Sequence, residues 1–226
     1  MPKIHDLPDE LLAQILGLVV RYPTRSWWAP DFDKYFRNSI SVMLVCHRFH
    51  RLATPCLYRH IEVAAGWVGP NFPGASPRGT ELLRRTLSED SSLRENCRVL
   101  HVHIGAYDSD PPPRTAEDFV TWLVRTKCLQ IDGGFFSRPS VWDNAINEFR
   151  PVEPSALDYQ WTWHLIRTAV RNMTSLEELS LMPGSGLLSL ETTIDMLRDA
   201  ARLKILNLAG ISFTGFTLPE SAFKVG

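Results

Sequence analysis

A chain of 226 residues, 44% of them apolar, can bury a sizeable core, and 24 basic against 25 acidic side chains leave no excess charge for seeking phosphate. Nucleic acid is not an expected partner, and neither is a membrane: the apolar window at 11–20, broken by Gln14, falls far short of the ~20 residues of a span. Lys3, Asp6, Asp9 and Glu10 do not suit a signal peptide, and four scattered cysteines read as reduced thiols, so the expected location is cytoplasmic or nuclear. Leu7, Leu11, Leu12, Ile15, Leu16 and Val19 then recur at spacings of three and four, which predicts a helix over about 8–20 with one apolar face. Pro8 suits its first turn, and Asp9 and Glu10 complement its positive end. A polar loop with Trp27 and Trp28 follows, then a second helix over about 35–47, a short third one carrying Phe49 and Leu52, a new helical start at Pro55, and a short strand ending at Val63.

A Gly- and Pro-rich stretch at 66–79 marks a boundary, giving a head over 1–63, a linker over 64–79 and a second domain over 80–226. In that domain one unit recurs, a helix and then a short strand: Leu82, Leu83 and Leu87 lead into Leu100, Val102 and Ile104, and Phe119, Trp122 and Leu123 lead into Leu129 and Ile131. Trp161, Leu165, Ile166 and Ala169 lead into Leu176, Leu179 and Leu181, and Ile194 and Leu197 into Leu203, Leu206 and Leu208. The last two strands fit L-x-x-L-x-L, and Leu179 and Leu206 lie 27 positions apart, inside the window of roughly 20 to 29 for leucine-rich repeats. The step from Leu129 to Leu179 is 50, so an inserted loop is expected within 133–156. The fold class is therefore α/β: a three-helix head, then an irregular solenoid of short parallel strands alternating with helices. No polar capping repeat precedes Gly226, so the solenoid is either truncated there or covered at its end by a partner.

The strings Leu7-Pro8 with Leu11, Leu12, Ile15 and Leu16, Val45-Cys46-His47-Arg48-Phe49, and Ala53-Thr54-Pro55-Cys56-Leu57-Tyr58-Arg59-His60 together resemble an F-box and its downstream junction, as found in fungal F-box proteins with divergent leucine-rich repeats. The resemblance covers about 4–63 by motif and the remainder by repeat texture. It implies a non-catalytic substrate receptor of an SCF-type cullin-RING ubiquitin ligase. The helices would bind a Skp-family adaptor, and through it a cullin and a RING subunit, while the repeats bind a protein target. The residues it carries over as adaptor-binding are Leu7, Pro8, Leu11, Ile15, Leu16, Val45 and Phe49. The alternative is a stand-alone repeat scaffold whose head is only a cap with an internal apolar stripe.

Residues between the buried strand positions, His101, His103, Gln130, Asp132, Glu178, Ser180 and Asn207, are expected to face outward, and their mixed polarity suits a protein target. His101 and His103 point to one side and could form a metal or acid–base pair, but no adjacent carboxylate or cysteine completes a site, so they read as exposed strand surface. Cys46 with His50, and Cys56 with His60, imitate zinc-ligand pairs at helical spacing without a finger's overall spacing. Phosphate-binding loops, nucleophile elbows and zinc-protease motifs are absent from the sequence. Neither a cofactor nor catalysis is expected.

Overall fold

The computed structural model describes residues 4–20, 40–65, 77–104, 115–133, 140–143, 148–151, 156–183, 187–188, 198, 200–208 and 212–213. The Trp27 and Trp28 loop, most of the 64–79 linker, the segments joining later rounds and the end at Gly226 lie outside the described residues.

A 3-10 turn at Ile4–Asp6 leads into α1, Asp9–Val19, with Pro8 at its N-cap, where the missing N–H costs nothing. One helical turn at 40–43 precedes α2, His47–Leu57, which runs unbroken through Pro55. The helix start expected at Pro55 is thus an interior position. The half-buried and exposed faces of this last turn leave the ring room in solvent, and the lost N–H forfeits one bond rather than the helix. Leu12, Leu16 and Val20 of the first helix pack on Phe49 and Ala53 of the second to make a small core.

The chain then turns at Tyr58 and Arg59 into β1, His60–Ala65, which is the edge strand of the main sheet and not part of the helical head. Helix α3, Pro77–Glu89, and a 3-10 turn, Ser91–Asn96, lead to β2, Val99–Ile104; α4, Thr115–Trp122, leads to β3, Cys128–Gly133. The insertion between the second and third rounds holds an antiparallel hairpin, β4 at Ser140–Asp143 and β5 at Glu148–Pro151, where only an irregular loop is expected from sequence. Then come α5, Ala156–Asn172, β6, Glu178–Pro183, the two-residue β7, Leu187–Leu188, β8, Ile205–Leu208, and β9, Ser212–Phe213.

The main sheet is parallel throughout, with spatial order β1-β2-β3-β6-β8, the same as chain order. Its register aligns Ile61, Leu100, Leu129, Leu179 and Leu206 in one row and Val63, Val102, Ile131, Leu181 and Leu208 in another. These rows form the apolar face, packed against Leu87 of α3, Phe119 and Val120 of α4, and Leu165, Ile166, Ala169 and Val170 of α5. Three positions ahead of the first row stand Tyr58, Cys97, Thr126, Leu176 and Leu203. Thr126 is tolerated in this buried column because its hydroxyl donates to Cys97 Sγ at 3.6 Å.

The entry to each strand repeats one hydrogen-bond pattern. Arg98 and Val99 both donate to the Arg59 carbonyl, Lys127 and Cys128 to Arg98, Glu177 and Glu178 to Lys127, and Lys204 and Ile205 to Glu177. One acceptor serves two donors at every step, so successive rounds dock in the same register. On the outer edge, the Ala64 N–H of β1 donates to Thr80 Oγ1 of α3 at 2.8 Å, which satisfies a group that an edge strand would leave bare. Among the described residues no helix is long and apolar enough to cross a membrane.

Candidate functional site

Two surfaces carry the residues singled out from sequence. The first is the head. Leu11, Ile15, Leu18 and Val19 sit at i, i+4, i+7 and i+8 on α1, so they share a stripe, and all are exposed, Leu11 by 49% and Ile15 by 40%. Leu44 and Val45, in the turn before α2, are exposed too, Val45 by 59%, as are Ile4 and Ile40. Leu7 is half-buried and Pro8 exposed. Leu16 and Phe49 differ from the rest of the expected contact set: both are buried in the head's own core, because they occupy the stripe of α1 and α2 where the helices meet. Their role is to hold the exposed stripe in place.

Asp9 fixes the two helices. Its carboxylate accepts from Arg48 Nε at 2.7 Å and from an Arg51 guanidinium nitrogen at 2.6 Å, and Arg48 also donates to the Leu7 carbonyl at 2.6 Å. The two guanidinium groups hold its carboxyl below the usual carboxylate range. From sequence Asp9 reads only as a helix-end charge; its partners lie 39 and 42 positions away, where no local spacing reveals them.

The second surface is the polar face of the sheet. Alternation along each strand puts His60 and Glu62 of β1, His101 and His103 of β2, Gln130 and Asp132 of β3, Glu178 and Ser180 of β6 and Asn207 of β8 on the side opposite the apolar rows. The sequence therefore places these side chains on one face, but much of that face is not solvated as expected. His101 is 6% and His103 2% exposed, and Asp132 and Ser180 are buried as well; Gln130 and Glu178 are half-buried, and Asn207 on the last strand is exposed. β1 and β3 flank the strand that carries the two imidazoles, and the rings lie against each other, with centroids 4.2 Å apart and planes tilted by 34°.

The parallel register sets Glu62 beside His101, and the Glu62 carboxylate pairs with His103 Nε2. This supplies the carboxylate that the sequence around the histidines lacks: it comes from the neighbouring strand. Ligand atoms of Glu62, His101 and His103 all lie within 4.8 Å of one another. Asp132 is the register partner of His103 on β3. Burial, with His103 adding to it, pushes His101 down to about 3, so its imidazole is neutral at physiological pH. Burial likewise lowers His60 and raises Asp132. The other metal-like set does not assemble: His50 is exposed on α2, Cys56 Sγ turns to the Leu52 carbonyl at 3.9 Å, and among the described residues Glu62, His101 and His103 are the group that gathers three ligands. Burial pushes the thiols of Cys97 and Cys128 up to about 11 and about 12, the second with help from Glu178, so neither is a poised nucleophile.

In comparisons with known proteins, no protein-family model matches the chain, and no curated protein is significantly similar to it in sequence.

Proposed function

We propose that the chain is a non-catalytic substrate receptor of an SCF-type cullin-RING ubiquitin ligase. The head, resembling an F-box, would bind a Skp-family adaptor, and the α/β rounds, read as divergent leucine-rich repeats in a short solenoid, would hold a protein target. The observation that carries the reading is the exposed apolar stripe of α1 with Leu44 and Val45. Fully burying one such side chain stabilises by about 1.5–3 kcal/mol, so a row of them left in water marks a surface that gains from a partner. A cap on the repeats would instead turn this stripe inward. The repeated strand-entry hydrogen bonds and the aligned rows support the repeat reading, since each round docks on the last in the same way. The contribution to ubiquitin transfer is proximity: a target held near a charged conjugating enzyme reacts without a catalytic group from this chain.

The test is co-purification of the chain with a Skp-family adaptor. Capture by the wild type, and its loss in a folded Ile15→Asp, Val45→Asp double variant, is the expected result. If the wild type captures no such adaptor, the reading fails, and a stand-alone repeat scaffold takes its place.

A further inference from the structure

We propose that Glu62, His101 and His103 form a zinc site that ties the first strand of the sheet to the second. Two imidazole nitrogens and one carboxylate oxygen are a donor set that zinc accepts, whereas calcium and magnesium favour oxygen donors alone. The three ligand atoms lie within 4.8 Å of one another. A zinc shell with bonds of roughly 2.1 Å sets its donors about 3.4 Å apart, so the ion would enter between the Glu62 carboxylate and His103 Nε2, which now pair directly, and part them. The donors stand on paired strands rather than loops, which holds them in a fixed frame.

The surroundings point the same way. Glu62 is mostly covered, with a side chain only 16% exposed, and its carboxylate pairs with His103 Nε2; a divalent cation would take the place of that pairing and hold the carboxylate and both imidazoles together. Asp132 is the register partner of His103 on β3 and is itself buried, which adds a carboxylate to the neighbourhood of the site. Both histidines are buried, so the site is closed on that side; the three protein donors fill three positions of a tetrahedral shell and leave the fourth to water, and the metal's part is to tie the two strands together. β1 enters the sheet only two residues after α2, so a metal joining β1 to β2 also fixes the strand from which the head hangs. This inference stands apart from the adaptor reading, since the three residues lie in the sheet and not in the head.

The experiment titrates Zn2+ into the purified full-length chain, freed of metal with a chelator, against a chromophoric competitor. The expected result is one zinc per chain with a Kd below about 1 μM, as a site coupled to folding gives. Glu62→Gln and His103→Asn should each weaken binding by about 100-fold or more, while the exposed control His50→Ala leaves it unchanged. Circular dichroism reports whether each variant is folded; if His103→Asn is not, Glu62→Gln, which keeps the side chain's shape, decides. Cobalt substitution gives a second readout, with a d–d spectrum free of thiolate charge transfer. Absence of saturable binding in the wild type, full affinity in a folded Glu62→Gln variant, loss of affinity in His50→Ala, or a thiolate band would each overturn the proposal.

Discussion

Asp9 shows how one side chain can serve two helices. It lies in the first turn of α1, where a negative charge is favoured, and it receives two arginines from α2. Folding lowers the pKa of this carboxyl, so between the unfolded and folded values the unfolded chain binds more protons. The stabilisation is therefore fully present above about pH 4 and is lost as pH falls through the folded value. Asp9→Asn should lower the melting temperature by about 1–3 °C at pH 7, the size expected of an exposed ion-pair network, and by nothing at a pH low enough to protonate the folded carboxyl. Paired melting curves of both proteins across that range check it; a difference that persists at low pH would mean the carboxyl acts through shape and not charge. Glu177 obeys the same logic between Lys127 and Lys204, which hold it down to about 2 from 3.0 and 2.8 Å. Neither network is visible in the sequence, since its partners are tens of positions apart.

At the scale of elements, the strands were the most legible part, and for a physical reason. A strand with one face on a core must alternate, so Leu100, Val102 and Ile104, and Leu179 and Leu181, announce both the strand and its inward side. What alternation cannot say is how far the opposite side is covered. His101 and Ser180 lie on the expected face, yet both are buried on interior strands, while Asn207 on β8, at the sheet's far edge, stays exposed. The L-x-x-L-x-L pattern holds at the two later rounds, with Leu176 and Leu203, and not at the earlier ones, where Cys97 and Thr126 stand in that column. The β4–β5 hairpin is hidden because it falls in the insertion that stretches the step from Leu129 to Leu179 to 50 residues. The contrast between interior and edge predicts unequal costs of truncation. Leu129, fully buried on the central strand, should lose about 2–5 kcal/mol on mutation to Ala, while Ile205→Ala, exposed on the last strand, should cost about 0.5 kcal/mol or less. Urea titrations of the two variants decide between this and a uniform dependence on side-chain size.

For the whole molecule, the decisive feature is that the buried apolar side chains among the described residues divide into two cores. Leu12, Leu16, Val20, Phe49 and Ala53 form one, and the strand rows with the three helices behind them form the other. The small core buries few residues, so the head should open more readily than the sheet. Leu12→Ala tests the division. Leu12 is fully buried at the centre of the small core, and truncation there removes packing worth about 2–5 kcal/mol from the head alone. Hydrogen–deuterium exchange should then show faster uptake across α1 and α2 and unchanged protection in β2, β3 and β6. Under the proposed adaptor reading, capture should weaken in parallel, because Leu11 and Ile15 are held in line by the same helix that Leu12 anchors. Equal acceleration in head and sheet would mean the two cores open as one cooperative unit, coupled where α2 meets the 3-10 turn at Ser91–Asn96.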